Sequence, residues 1–206
     1  MPNITPLRKT LGGFLGQVLT PEMAAEIELA VELVPDNYID LAQFGELQHG
    51  KYIIRAERFA DIQDELHALH QLHWLETEKH RHGLAMNPDY AVMLADERAG
   101  KLIQFTVRKD EELIGHCRMY LSVSRHTQTK FATEDTLFFK PENRGGFTAI
   151  VFMRWIEREL LKLGIREIRV NSKTINRADV LMRRLGYQEV SIEFVKVFPE
   201  ATHECK

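Results

Sequence analysis

Gly145 and Gly146 stand between a short apolar run, Leu137-Phe138-Phe139, and a stretch whose apolar residues recur at helical spacing, from Ile150, Val151, Phe152 and Trp155 to Leu161. A strand that feeds a glycine-rich turn and then opens a helix presents backbone N–H groups with no partner inside the helix. The partial positive charge of the helix N-terminus adds to them. A pyrophosphate is the natural guest of such a turn, and a nucleotide-bearing cofactor carries one. Just upstream lie two acids, Glu134 and Asp135. Neighbours on a strand leave it by opposite faces, so one is expected to be buried or at a cleft and the other solvated. Five histidines, His67, His70, His73, His80 and His82, crowd a third region. Their i, i+3 steps bring the first three together along a drifting helix face. Imidazoles bind metals, but no cysteine ligand or acidic partner motif accompanies these. The plainer reading is a polar helix face, and no metal site is expected. Trp74 and Trp155 fall at apolar helical positions and suit a core.

The chain that must position these groups has 206 residues, 44% of them apolar, and a net charge of -3. That length suits one sizeable domain with an appendage. No basic excess points to nucleic acid; Arg177, Arg183 and Arg184 form only a local cluster. Cys117 and Cys205 are far apart, so no disulfide framework is expected and a reducing cytoplasm is the natural compartment. No apolar run is long enough for a membrane span. Residues 8–19 imitate a secretory leader, but Gly12, Gly13 and Gly16 break the run and no clean cleavage pattern follows, so none is expected.

Residues 1–19 read as irregular. Thr20 suits an N-cap and Pro21 the first helical position of a helix that Pro35 ends. Residues 1–50 are expected to form a helical extension docked on a domain at 51–198, with a tail at 199–206. Within the domain the patterns predict a strand at 52–56 and a helix from Phe59 to about Lys79. A short strand or helical turn follows at 90–94, then a hairpin of 101–108 with 112–122 turning at Lys109-Asp110-Glu111. Further strands are expected at 134–140, 165–171 and 187–198. Helices are expected at 145–163, closed by Gly164, and at 176–185, closed by Gly186. The strand-helix-strand unit at 134–171 demands a parallel neighbour, so the fold is a mixed α/β (α+β) sheet.

This order resembles the GNAT superfamily of acyl-CoA N-acyltransferases over residues 50–198. Glu112-Leu-Ile-Gly115 resembles the family's Val/Ile-Gly step. Leu137-x-Phe139-x-Pro141-Glu-x-Arg144-Gly145 resembles the pattern Leu-x-Val-x-Pro-x-x-Arg-Gly of its fourth strand, and Leu185-Gly186-Tyr187 its Leu-Gly-Phe step. The stretch from His126 to Pro141 also resembles GNAT proteins encoded by bacteriophages. The resemblance implies a mostly antiparallel central sheet with helices on both faces and a slot where the fourth and fifth strands splay. It implies acetyl-CoA as acyl donor, with Arg144, Gly145, Gly146, Phe147, Thr148 and Ala149 around the pyrophosphate. Phe139, Lys140 and Asn171 would then lie beside the pantetheine arm. Two positions depart from the pattern. Phe147 stands where the family has a glycine, and Met182 where many members have a tyrosine that protonates the leaving thiolate.

Acetyl transfer to an amine requires that an ammonium lose its proton, so the resemblance also implies a base. Asp135 lies six residues before Pro141, where some aminoglycoside-modifying members carry an acid, and it is the favoured candidate. Glu134 and His126, the latter in the loop before that strand, are the other two. Glu78, His80 and His82 fall on the segment that walls the acceptor site in such folds. The implied activity is N-acetyltransfer from acetyl-CoA to a primary amine of a small molecule or protein, with no nucleic-acid or membrane partner and with pairing into homodimers. The alternative is a degenerate member that binds a partner without catalysis, which Phe147 and Met182 favour.

Overall fold

A computed structural model describes residues 5–32, 38–79, 85–173, 175 and 178–196. Helices α1 (Thr5–Gly13) and α2 (Pro21–Glu32) open the chain and pack on each other. The segment expected to be irregular thus holds a helix, with Gly12 and Gly13 ending it. Thr20 caps α2, its hydroxyl accepting the Met23 N–H at 3.3 Å.

The domain is built on one six-stranded sheet in sequential order: β1 (Leu47–His49), β2 (Tyr52–Glu57), β3 (Leu102–Lys109), β4 (Glu112–Val123), β5 (Lys130–Phe139) and β6 (Glu167–Arg169). Every pairing is antiparallel except β5 with β6. The mixed, mostly antiparallel sheet expected from the sequence is therefore present. The hairpin of β3 and β4 turns on Asp110 and Glu111, both with φ above zero, as a two-residue turn requires. β1 comes from the stretch assigned to the N-terminal extension, and the expected boundary at residue 50 falls in the β1–β2 turn.

Helices cover both faces. On one side α5 (Thr148–Lys162) and α6 (Ala178–Leu185) send Phe152, Trp155, Ile156, Met182 and Leu185 against Ile103, Phe105, Val107, Cys117 and Met119. On the other side α3 (Phe59–Thr77) and α4 (Tyr90–Arg98) pack Phe59, Ile62, Leu66 and Leu69 on Leu102, Leu113 and Phe138. Residues 90–94, expected as a short strand or a helical turn, open α4 as helix. Asp89 caps it by accepting the Val92 N–H at 3.1 Å. α3 begins without a capping side chain of its own. Glu97 of α4 reaches across instead and accepts the N–H groups of Phe59 and Ala60 at 2.7 and 3.2 Å. Gly115 has its own reason: a Cβ there would stand 2.6 Å from the Phe139 ring. Phe139 is thereby free to lie flat on β4 and meet Phe152 edge-on at 5.6 Å.

Two expected strands differ. β6 is three residues long, not the seven of 165–171. No regular strand forms over 187–196, and residues 197–198 lie outside the described residues. Alternating apolar residues equip a segment for a sheet, but a neighbouring strand edge must supply the ladder.

Candidate functional site

The pairing of β5 with β6 covers only Phe131–Thr133 and Glu167–Arg169. Beyond those residues the two strands part, and at the parting stands Glu134. Its carboxylate Oε2 accepts the backbone N–H of Asn171 at 3.0 Å, across the gap. Glu134 is 5% exposed. Burial raises its carboxyl, the Asn171 N–H opposes this, the Asp135 charge adds to it, and the result is pushed up to about 7.

A β-bulge sets the two acids apart. Arg118 pairs with Thr136 and Met119 with Glu134, so Asp135 is the extra residue in β5. Its side chain leaves toward the α3 face and is 44% exposed. The guanidinium of Arg118 donates to Asp135 Oδ2 through Nε–H at 2.9 Å and Nη2–H at 2.6 Å, and the Thr136 hydroxyl donates to the same oxygen at 2.9 Å. Burial works to raise this carboxyl, but Arg118 and these hydrogen bonds prevail and hold it below the usual carboxylate range. One acid is buried and the other faces solvent, as expected from the strand. The buried one is Glu134, not the favoured Asp135.

Arg118 is itself held from behind. Its Nη1–H lies 3.4 Å from His70 Nε2 and 3.2 Å from Met93 Sδ. The Tyr90 hydroxyl sits between His70 Nδ1 and His67 Nδ1, within hydrogen-bond reach of both at 3.0 and 2.9 Å. His70 is forced neutral, its pKa lowered to about 3 by burial and by the Arg118 charge. Two of the crowded histidines thus serve a hydrogen-bond chain that orients Arg118. Among the described residues no group of three or more His, Cys, Asp or Glu side chains is arranged to hold a metal ion.

The turn after β5 is a 3-10 turn, Pro141–Asn143, followed by Gly145 and Gly146 at φ 127° and 61°. Such backbone belongs to glycine, and open space surrounds both Cα positions. α5 then begins at Thr148, three residues later than expected, with Phe147 in the cap position. The Phe147 carbonyl accepts the Val151 N–H at 2.9 Å, which leaves the N–H groups of Thr148, Ala149 and Ile150 as the helix's unpaired donors. The Phe147 side chain is 70% exposed. Unpaired helix N–H groups behind an open glycine turn suit an anion such as a diphosphate.

The other expected site residues fall as follows. Phe139 is buried under α5, so only its backbone can face the gap. Lys140 pairs with Glu112. Arg144 donates through Nε–H to the Phe139 carbonyl at 2.8 Å and through its fork to Glu76. Glu78, at the end of α3, holds Lys173 at 2.8 Å. His126 lies exposed in the turn before β5, at the opposite end of that strand from the Gly145-Gly146 turn, and its N–H donates to Ser124 Oγ. It is not brought to the site. His80 and His82 lie outside the described residues. Met182 is a core residue, 6% exposed. Tyr187 lines the flank of α5 with Arg154 and Glu157.

Arg118, His70, His73, Glu76 and Lys173 are site residues that sequence reasoning missed. His70, His73 and Glu76 recur every three residues on one helix face, and Arg118 is a lone cation in the apolar strand 113–120. Both were visible signals of a buried polar site.

No protein-family model matches the sequence, and no curated protein sequence does. Solved structures do match in fold. An aminoglycoside acetyltransferase from an uncultured soil metagenomic sample, in complex with trehalose, superposes with a TM-score of 0.60 at 11% identity, over 72% of this chain and 97% of that one. A ribosomal-protein-alanine N-acetyltransferase from Brucella melitensis biovar Abortus gives 0.57 at 16% identity, over 72% and 98%. A predicted acetyltransferase from Clostridium acetobutylicum, solved with acetyl-CoA, gives 0.54 at 14% identity, over 71% and 96%. The chain shares the fold of these acetyltransferase structures.

Proposed function

We propose that this chain is an acetyl-CoA-dependent N-acetyltransferase acting on a primary amine of a small molecule or protein, with Glu134 as the general base. The observation that carries the reading is the buried Glu134 carboxyl, set in the gap between β5 and β6 and pushed up to about 7. A base is most effective when its pKa lies near the working pH. Asp135, locked to Arg118 and held acidic, suits a positioning role better.

Acetyl-CoA supplies the acetyl group as a thioester. The residues that would hold it are the N–H groups of Thr148, Ala149 and Ile150, the Gly145-Gly146 turn before them, and the parted edges of β5 and β6. From the acceptor side, Glu134 takes the proton of the ammonium and leaves a neutral amine. Arg118, fixed by His70 and Tyr90, keeps Asp135 at the mouth, where its charge disfavours a second anion and supports the raised pKa of Glu134. Protonation of the departing thiolate falls to solvent, since Met182 has no proton to give.

The test is CoA release over a panel of amines and basic peptides, repeated with Glu134→Gln. Wild type should turn over at least one acceptor, and Glu134→Gln should lose on the order of 100-fold in kcat. An acceptor acetylated equally fast by both proteins would remove Glu134 from the chemistry. Acetyl-CoA bound without turnover of any amine would favour the non-catalytic alternative.

A further inference from the structure

The ladder between β5 and β6 stops at Thr133 and Arg169, and the chain beyond it runs on along the gap. Residues 171–173 lie in no strand. A contact at each end holds them. At one end the Asn171 N–H donates to Glu134 Oε2 at 3.0 Å. At the other, Lys173 Nζ meets Glu78 Oε1 at 2.8 Å. Glu78 stands in the C-cap position of α3, a helix packed firmly on the sheet, so the pair fastens the rim of the gap to that helix. Asn171 and Ser172 are exposed, and burial of their side chains does not fix their place. The Glu78 side chain is only 14% exposed and that of Lys173 34%. A pair partly out of water is screened less than a surface pair.

The place of the Asn171 N–H matters because few groups favour the Glu134 anion. Burial opposes it, and so does the charge of Asp135 on the same strand; the Asn171 N–H, Lys173 and Arg118 favour it. Arg118, on β4, is already committed to Asp135. The Cys117 thiol, also on β4 and within reach of the Glu134 charge, is pushed up by burial and stays neutral. Lys173 therefore bears on Glu134 in two ways, through its own charge and through where it holds the Asn171 N–H.

We propose that Lys173 is a positioning residue for the general base: by gripping Glu78 it keeps the Asn171 N–H on Glu134, and so holds the rim of the gap where the β5–β6 ladder no longer does. This rests on the assignment of Glu134 as the base. The grip acts through Glu134, and Lys173 itself takes no part in the transfer.

The variants are Lys173→Met and Lys173→Arg, which leave α3 and its own contacts in place. Two quantities are read by NMR on the free protein: amide exchange at Asn171 and the titration of the Glu134 carboxyl carbon. Lys173→Met should speed exchange at Asn171 by about tenfold, while the paired residues of β5 and β6 keep their protection. The Glu134 titration should move to higher pH. Lys173→Arg keeps charge and reach, and should restore both to the wild-type values. A titration that moves while exchange at Asn171 stays unchanged means that the lysine acts by charge alone, and overturns the proposal. So does faster exchange spread equally over β5 and β6, or Lys173→Arg behaving as Lys173→Met. With an acceptor from the amine panel, the rise of kcat/KM with pH should shift upward in Lys173→Met alongside the carboxyl. A panel that yields no acceptor strikes instead at the acetyltransferase reading, and exchange at Asn171 still decides the grip.

Discussion

Glu134 and Asp135 are adjacent in sequence and opposite in chemistry. The alternation of a strand was enough to separate them, but not to say which one goes inside. That choice is made by the bulge at Asp135, by Arg118 on the next strand and by the Asn171 N–H across the gap, all of them contacts distant in sequence. The difference has a measurable sign. The folded-state pKa of Glu134, about 7, lies above its ordinary value of 4.5. The native state therefore holds the proton more tightly than the unfolded chain does between those values, and the stability this contributes is complete at low pH and lost as pH rises through 7. Glu134→Gln lacks this loss, so its stability relative to wild type should improve between pH 5 and pH 8, as read by urea unfolding at both. Asp135→Asn should show no such trend over that window, because its carboxyl is already ionised there. A Glu134→Gln difference that stays flat with pH would mean that the carboxyl titrates normally.

At the scale of elements, local patterns carried the sequence reading far. The helices at α2, α3, α5 and α6 and the hairpin of β3 and β4 follow from caps, glycines and periodicity that the sequence displays. The helix after the glycine turn starts three residues late because Gly145 and Gly146 take φ above zero and cannot be its first residues. What could not be read locally is support given from elsewhere, and the start of α3 shows it. Arg58 in the cap position makes no side-chain cap; Glu97, buried at 2% exposure on α4, does the work from nearly forty positions away. Glu97→Gln keeps one oxygen acceptor of the two and removes the charge that favours a helix N-terminus. It should cost about 1–2 kcal/mol, a fall in Tm of about 2–4 °C per kcal/mol for a chain of this size. An unchanged Tm would show that α3 is held by its apolar face alone.

At the scale of the molecule, the sheet ends at β6 in a short edge. β6 pairs over three residues, and the segment after α6 exposes Val190, Ile192 and Phe194, which alternate as a strand's inner face does. Periodicity made a last strand legible there, but the edge that would receive it is short, and no ladder forms over 187–196. The same brevity of β6 opens the gap at Glu134, so the expected slot and the unformed strand have one cause. A gap of this kind is a place where a ligand's burial substitutes for missing strand pairing. Acetyl-CoA that binds the folded chain and not the unfolded one must raise stability by mass action, by about 2.7 kcal/mol at a hundredfold excess over Kd. For a chain of this length that is a rise in Tm of about 5–10 °C. Shortening the cradle's reach should reduce it: Gly146→Val places a branched side chain at φ 61°, a conformation it rarely adopts, and should lower the ligand-induced rise more than it lowers the Tm of the free protein. Thermal unfolding with and without millimolar acetyl-CoA reads both quantities, and a wild-type Tm that does not move would refute the assignment of the gap and its glycine turn to this cofactor.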